Sequence, residues 1–249
     1  MFPPSGFGYD RAITIFAPNG RLYQVEYSLE AVRRGTTAIG IRAKDGVVLV
    51  VEKRVTTLQE SETIEKVFIV DEHVGAAIAG LTADARILID NARLEAQTNK
   101  FLYDEPIDVE LLTKKICDIK QAYTQRAGVR PFGVSLLIAG VDKEPQLFIT
   151  DPSGAYWGYK AAAIGSGSQE VKSELEKDYH DNITLDEAVN LALRILKKVS
   201  KQKLDADHVE IACVSIKDKK FRILTSEEKM KYISKLTEKN TKSKNKESK

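Results

Sequence analysis

Cysteine is scarce in this chain, which contains only Cys117 and Cys213 among 249 residues. Two thiols are too few for a disulfide scaffold and are typical of a reducing compartment. Long uncharged runs are also absent: the longest, residues 74–83 and 131–141, are far shorter than the roughly 18 residues of a membrane span. No charge dominates, since 38 Lys and Arg face 36 Asp and Glu, which argues against a dedicated nucleic-acid or membrane-surface binder. The start of the chain has no apolar core typical of a signal peptide, so we expect a cytoplasmic protein.

Motifs for common cofactors are missing as well. There is no phosphate-binding loop, and the glycines of residues 165–167 lack the third glycine of a dinucleotide fingerprint. His73, His180 and His208 stand apart from one another, without the spacing of zinc ligands. We therefore predict no metal and no cofactor.

The charge is unevenly distributed. Residues 235–249 hold six lysines and two glutamates, a net charge of +4, so the remainder of the chain has a net charge of −2. A segment this polar and basic is typical of a disordered, Lys-rich tail.

Hydrophobic periodicity predicts strands and helices in alternating groups. Strands are predicted at residues 36–43, 47–51, 67–70, 74–79, 134–141, 146–150, 155–157, 161–164, 209–216 and 221–224. Helices are predicted at residues 19–34, 82–101, 109–128, 169–179 and 185–199. Tight turns between successive strands favour antiparallel sheets, with the helices on their outer faces. We therefore predict an α+β fold, a four-layer αββα sandwich with an additional N-terminal helix.

Helix starts are predicted from capping residues. Asn19, Thr82 and Asp108 are candidate N-caps, and residues 184–187 match a capping box.

One catalytic possibility remains from the residues alone. Cleavage after Gly35 would release Thr36 with a free α-amine, which could take the proton of its own hydroxyl. Glu52 and Lys66 would complete such a set. In the uncleaved chain the Thr36 nitrogen is a non-basic amide, and the residue is then an ordinary strand residue.

Several segments resemble the proteasome α subunits, especially those of archaea. Residues 9–35 (YDRAITIFAPNGRLYQVEYSLEAVRRG) match the N-terminal signature of that family, and KDGVVLVVEKR, GLTADAR, RPFGVSLLIAG and IGSGS occur in the corresponding places. The resemblance covers residues 1 to about 235. It implies three parts: a gate segment at 1–12, one domain at 13–234 and the tail at 235–249.

The resemblance implies the N-terminal nucleophile hydrolase fold and an outer ring of seven identical α subunits, which caps a ring of β subunits. Such a ring uses heterologous contacts that close by rotation. The N-terminal helix would supply the ring interface through Leu22, Val25, Glu26 and Leu29.

By the same resemblance, Gly35 stands where active β subunits carry their catalytic threonine, so we expect no catalysis by this chain itself. Lys66 aligns with the lysine that assists that threonine. In α subunits it is expected to bind the C-terminal carboxylate of an activating AAA ATPase, with Gly80 and Leu81 as walls of the pocket.

The resemblance also implies a gate for unfolded protein substrates. Tyr9, Asp10, Arg11, Pro18 and Tyr27 match the residues that hold the gate open, with Pro18 fixing a reverse turn. A pore constriction is expected at Arg126, Ala127, Gly128 and Val129. The sequence thus predicts a non-catalytic, gating α subunit, and the alternative is a self-processed threonine hydrolase that begins at Thr36.

Overall fold

Two antiparallel five-stranded sheets form the centre of the computed structural model, which describes residues 13–200, 202 and 204–247, the side chains beyond residue 236 excepted. The strands are β1 (Ala38–Ala43), β2 (Gly46–Glu52), β3 (Val67–Asp71), β4 (Val74–Gly80), β5 (Val134–Val141), β6 (Pro145–Thr150), β7 (Tyr156–Gly158), β8 (Ala161–Ile164), β9 (Val209–Ser215) and β10 (Arg222–Ile223). The helices are α1 (Tyr23–Arg33), α2 (Thr82–Tyr103), α3 (Val109–Gln125), α4 (Ser168–Asp178), α5 (Leu185–Val199) and α6 (Ser226–Glu247).

The first sheet has the order β10-β9-β2-β1-β8 and the second the order β3-β4-β5-β6-β7. The predicted hairpins are confirmed: β1 returns as β2 with Ala43 opposite Gly46, and β3 returns as β4 with Asp71 opposite Val74. Strand β9 lies over β3, and β1 lies over β6. The outer strands β3 and β8 are therefore on opposite sides of the sandwich.

Alternation along the strands divides the hydrophobic core into three layers. On β2, Val48 and Val50 pack against α4 and α5, whereas Val47, Leu49 and Val51 point to the facing sheet. The second sheet likewise has two buried faces: one points to the first sheet, and the outer one is covered by α2 and α3. Because both faces of these strands are buried, they are continuously apolar in sequence. The predicted four-layer αββα sandwich is confirmed.

Two of the predicted helix caps are wrong. Helix α1 follows Leu22 rather than Asn19, whose side chain instead accepts a hydrogen bond from Arg21 N within the preceding turn. Thr82 lies inside α2, which follows Leu81, and its hydroxyl accepts a hydrogen bond from Lys66 Nζ. A tertiary or turn contact thus displaces the cap in each case.

The other two caps are confirmed. Asp108 accepts hydrogen bonds from Glu110 N and Leu111 N, and Thr184 and Glu187 form the capping box of α5.

Helix α6 continues through the segment predicted to be a disordered tail. The backbone is helical to Glu247, and the disordered tail at 235–249 stays a prediction. Lysine and glutamate have high intrinsic helix propensity, which low hydrophobicity does not reveal.

A lysine is fully buried between α3 and the second sheet. Lys120 Nζ donates to Thr150 Oγ1 at 2.8 Å, and Thr150 Oγ1 also accepts from Leu136 N at 3.2 Å. Burial lowers the pKa of Lys120 to about 8, although Cys117 and Asp151 act to raise it. The fold therefore binds this proton more weakly than the unfolded chain does.

Replacing this lysine tests the consequence for stability. The unfolded pKa of lysine is about 10.4, so between pH 8 and pH 10.4 the unfolded state binds more protons at this site. We expect the unfolding free energy of the native chain to rise relative to that of Lys120→Met over this window, by on the order of 2–3 kcal/mol. Urea unfolding at pH 7.5 and pH 10 measures it. Lys114→Met, an exposed lysine of the same helix, is the control, and a constant difference between the native chain and Lys120→Met would contradict the expectation.

Candidate functional site

A cavity of 570 Å³ opens between α1 and the end of β4. Its lining residues come from both elements and from the chain that follows each of them: Tyr27, Glu30, Ala31, Arg34, Gly35, Gly80 and Leu81. The structure therefore brings the predicted pocket residues Gly80 and Leu81 together with Tyr27, predicted for the gate, and Gly35.

Two glycines allow the backbones to approach closely beside this cavity. A Cβ atom at Gly35 would lie 2.4 Å from Gly80 N, and one at Gly80 would lie 2.2 Å from Gly133 O. Gly80 also has φ +115°, which side chains disfavour. In this backbone no side chain fits at Gly35, so the position cannot carry a nucleophile.

Lys66 lies directly before β3, and its side chain points to the start of α2. Its Nζ donates to Thr82 Oγ1 at 3.4 Å, and Thr82 directly follows Leu81. Burial lowers the pKa of Lys66; Glu210 acts to raise it and Arg54 to lower it further. Within the described residues no carboxylate lies within 4.0 Å of this ammonium. The group is a half-buried cation without an ion-pair partner there.

Glu210 fixes the backbone at Lys66. This buried residue of β9 accepts hydrogen bonds at Oε2 from Lys66 N at 2.8 Å and Val67 N at 2.9 Å. Its Oε1 lies 3.5 Å from Lys53 Nζ, which also donates to Ser61 O at 2.5 Å. One carboxylate thus joins the first sheet to the edge of the second and holds the loop between β2 and β3.

A second carboxylate fixes Leu81. The Asp84 carboxylate accepts hydrogen bonds from both terminal nitrogens of Arg130, at 2.6 and 2.8 Å, and from Gly133 N at 2.8 Å. Leu81 N donates to Gly133 O at 2.9 Å in the same corner. Burial acts to raise the pKa of Asp84, but the hydrogen bonds of Arg130 and Gly133 and the charge of Arg130 outweigh it, so this pKa is lowered. The wall of the cavity is therefore held by an ionised group.

A reverse turn precedes α1. Gly20 N donates to Ala17 O at 2.8 Å, which closes a turn with Pro18 at its second position, where the fixed φ of proline is favoured. Tyr27 is 52% exposed and stacks on Tyr23 with 6.3 Å between ring centroids. The turn expected at Pro18 is present, whereas Tyr9, Asp10 and Arg11 lie outside the described residues.

The apolar stripe of α1 is divided between two environments. Val25 and Val32 are buried, whereas Leu22 and Leu29 are half-buried. Glu26 is also half-buried and pairs with Arg21 at 3.2 Å. Part of the stripe therefore remains accessible beyond the domain's own core.

The residues expected at a pore constriction form an exposed loop. Arg126, Ala127, Gly128 and Val129 directly follow α3, and Gly128 has φ +86°. None of them lines the cavity at Gly80, so their assignment remains a prediction from the resemblance.

The alternative catalytic set is not assembled. Thr36 is buried and its Oγ1 has no hydrogen-bond partner in the described part of the chain, but its nitrogen is an amide bonded to Gly35. Glu52 instead accepts from Ser200 Oγ at 2.6 Å, and Lys66 donates to Thr82. Neither Glu52 nor Lys66 is therefore hydrogen-bonded to Thr36.

No group of three potential metal ligands occurs among the described residues. No helix in that part of the chain is sufficiently long and apolar to cross a bilayer.

Sequence reasoning misses the two supporting carboxylates. Glu210 is an acidic residue in an apolar strand pattern, which is the only local signal of a buried interaction. The position of Asp84 in the first turn of α2 indicates only a favourable interaction with the helix dipole. Its partner Arg130 is 46 residues away, so no local pattern reveals it.

Substituting Glu210 tests its supporting role. Glu210→Ala leaves the Lys53 ammonium, 5% exposed, without its carboxylate and two backbone N–H groups without an acceptor. We expect a loss of about 3–5 kcal/mol in unfolding free energy, and a smaller loss for Glu210→Gln, which retains an acceptor oxygen. Glu176→Ala, which removes an exposed pair with Lys172, should cost no more than about 1 kcal/mol. Equal losses of unfolding free energy for Glu210→Ala and Glu176→Ala, measured by urea unfolding, would contradict the supporting role of Glu210.

Two segments of the chain match family models of known proteins. Residues 32–214 match the family described as Proteasome subunit, and residues 9–31 match the N-terminal signature of the A-type proteasome subunits. The proteasome alpha subunit of Methanosarcina acetivorans is 57% identical over 93% of this chain and 95% of that protein. Those of Methanocaldococcus jannaschii and Pyrococcus abyssi are 58% and 53% identical, over 95% and 93% of this chain and 90% and 89% of their own lengths. With both family matches and relatives that align over nearly their whole length, the chain belongs to the proteasome α-type family and has its N-terminal nucleophile hydrolase-type sandwich.

Proposed function

We propose that this chain is the gating and docking component of a proteasome core particle. Seven copies form an outer ring that supports β-ring assembly, controls the entry of unfolded proteins and binds the C-termini of an AAA ATPase. The β subunits of this threonine-type peptidase complex carry out proteolysis. The chain itself contributes to ATP-dependent protein degradation as a component of the complex. The observation that carries the proposal is the half-buried Lys66 ammonium, which has no ion-pair partner among the described residues and donates to Thr82, the residue after Leu81.

A C-terminal carboxylate suits this site chemically. Lys66 is partly desolvated, and Glu210 is already engaged with the backbone of Lys66 and Val67 and with Lys53. Lys66 Nζ now donates only a long hydrogen bond, of 3.4 Å, to the Thr82 hydroxyl. A charge-assisted hydrogen bond is stronger than a neutral one, so an incoming carboxylate would bind the ammonium more strongly than this hydroxyl does. Leu81 is 45% exposed and offers apolar surface to the preceding residue of the ligand.

One cavity is lined by residues proposed for the gate and by residues proposed for docking. Tyr27 lines the same cavity as Gly80 and Leu81, and the turn at Pro18 lies only a few residues before α1. A ligand that enters the cavity would therefore contact the helix from which the gate segment leads. This proximity supports direct coupling between ATPase binding and opening.

Exposed apolar surface supports a contact with a neighbouring copy of the chain and a contact with the β ring. Leu22 and Leu29 of α1 remain partly accessible for a neighbouring copy of the chain. The end of α2 exposes Phe101 at 89%, Leu102 at 62% and Tyr103 at 67%, a cluster that suits burial against a β-type partner.

Two observations oppose the alternative hydrolase. Glu52 and Lys66 are engaged with Ser200 and Thr82, and the Thr36 amine needed as a base exists only after cleavage. That cleavage would also discard α1 and the family signature.

Mutation of Lys66 tests docking. In reconstituted particles, Lys66→Ala should reduce the ratio of ATPase-stimulated to unstimulated protein degradation toward one, because the carboxylate loses its cation. Lys197→Ala, an exposed lysine of α5, is the matched control and should retain the full ratio. Undiminished stimulation in Lys66→Ala would remove the docking role.

Deletion of residues 2–12 tests the gate. We expect unstimulated hydrolysis of a short fluorogenic peptide to rise several-fold, because peptide entry no longer depends on opening. Deletion of residues 238–249, a segment of similar length at the other end, should leave the rate as it is. A rate that does not change on N-terminal deletion would contradict gating.

A further inference from the structure

A second cavity, of 870 Å³, lies on the outer face of the first sheet, between the beginning of α4 and the end of α5. Thr37 and Glu52 are its buried lining residues, whereas Arg54, Glu170 and Lys198 line it as exposed residues. Cavities of about 300–1,000 Å³ are typical of small-molecule sites. This cavity shares no lining residue with the one between α1 and β4, so the two are separate.

A buried carboxylate in this cavity has no counter-ion. Val50 of β2 faces α4 and α5, and Glu52 follows on the same face at 7% exposure. Its Oε1 accepts a hydrogen bond from Ser200 Oγ at 2.6 Å. Among the described residues, no cation lies within 4.0 Å of the carboxylate and Oε2 accepts no hydrogen bond. Oε2 is not enclosed by the protein, because Thr36 Oγ1 and Gln146 Oε1 are the only fully enclosed side-chain polar atoms without a partner there.

Hydroxyl groups surround this carboxylate. Thr37 Oγ1 accepts a hydrogen bond from Gly167 N at 3.1 Å and retains a second lone pair. Ser166 also lines the cavity, and the Ser200 hydroxyl is fixed by a hydrogen bond from Gln202 N at 3.1 Å. These oxygens are acceptors for a group that carries several N–H donors.

The charge of Glu52 determines which group suits the cavity. Removing a carboxylate from water is costly, and the cost is offset only by hydrogen bonds together with an opposite charge. The hydroxyl of Ser200 supplies a hydrogen bond but no charge. A primary ammonium supplies both, since it is a compact cation with three N–H donors.

We propose that this cavity binds the primary ammonium group of a small organic molecule, with Glu52 as its counter-ion. The ammonium donates to Glu52 Oε2 and to the hydroxyl oxygens of Thr37 and Ser166. This binding site is additional to the role in the core particle proposed above and does not depend on it.

Two exposed charges beside the site indicate the sources of such an ammonium. Arg54 and Glu170 line the cavity, and neither has an ion-pair partner within 4.0 Å in the described part of the chain. Lys198, in contrast, is paired with Glu174. A short peptide carries a carboxylate for Arg54 beyond its N-terminal ammonium, whereas a polyamine carries a further ammonium for Glu170. Both ligands share the group that Glu52 recognises.

Isothermal titration calorimetry on the purified chain tests the site without any mutation. Triglycine and spermidine are the ammonium probes, and N-acetyl-triglycine retains the carboxylate of triglycine but has no ammonium. At constant ionic strength, we expect triglycine, spermidine or both to bind at one site per chain, at least tenfold more tightly than N-acetyl-triglycine. Absence of binding by both ammonium probes in the millimolar range, or equal affinity for N-acetyl-triglycine, would overturn the proposal.

A matched pair of variants locates the binding. Glu52→Gln keeps the size of the side chain and an acceptor for Ser200 but removes the charge, so it should weaken binding of the active probe at least tenfold. Glu176→Gln changes an exposed glutamate of α4 outside the cavity and should bind as the native chain does. Equal affinities of Glu52→Gln and the native chain would overturn the assignment. Urea unfolding verifies that Glu52→Gln is folded, and the comparison with N-acetyl-triglycine decides the question if it is not.

Two further variants distinguish the sources. Weaker binding of triglycine, but not of spermidine, by Arg54→Ala would identify a short peptide as the ligand class. Weaker binding of spermidine, but not of triglycine, by Glu170→Gln would identify a polyamine. Either result retains Glu52 as the residue that binds the ammonium.

Discussion

The carboxylate of Glu210 is the interaction on which the geometry of the candidate site depends. It accepts the two amides at the start of β3 and faces Lys53, so one buried group joins β9, β2 and β3. Removing an ion from water is costly, and the cost is offset only where hydrogen bonds and an opposite charge surround it. The position of Lys66 follows from this arrangement rather than from the packing of its own side chain.

A second buried carboxylate, that of Asp84, supports the cavity wall at Leu81. Asp84 binds Arg130 and Gly133 N, and the Leu81 amide binds Gly133 O. The two carboxylates therefore lie on either side of the proposed docking site without belonging to it. Rigid support of this kind reduces the ordering cost of binding, because the binding surface exists before the ligand arrives.

Much of the fold can be predicted from sequence because its signals are local. The continuous apolar runs of β2 and β4, the tight turns, and the caps of α3 and α5 depend on neighbours within a few residues. The incorrect caps, Asn19 and Thr82, are overridden by contacts that a local pattern cannot include. Glu210 and Lys66 are 144 residues apart, so no local pattern joins them. Lys66, Gly80 and Leu81 are identified only through family resemblance.

The contact between Gly35 and Gly80 has a consequence for how such a protein could change over time. The absence of a side chain at Gly35 is enforced by the adjoining backbone, since the nearest atom to a Cβ there would be Gly80 N. A single codon change at Gly35 therefore cannot introduce a nucleophile without first moving the backbone of β4. The same close approach shapes one wall of the cavity, so such a movement would alter that wall as well. A lineage with this contact is thus kept from acquiring a reactive side chain at this position by the backbone that shapes the cavity wall.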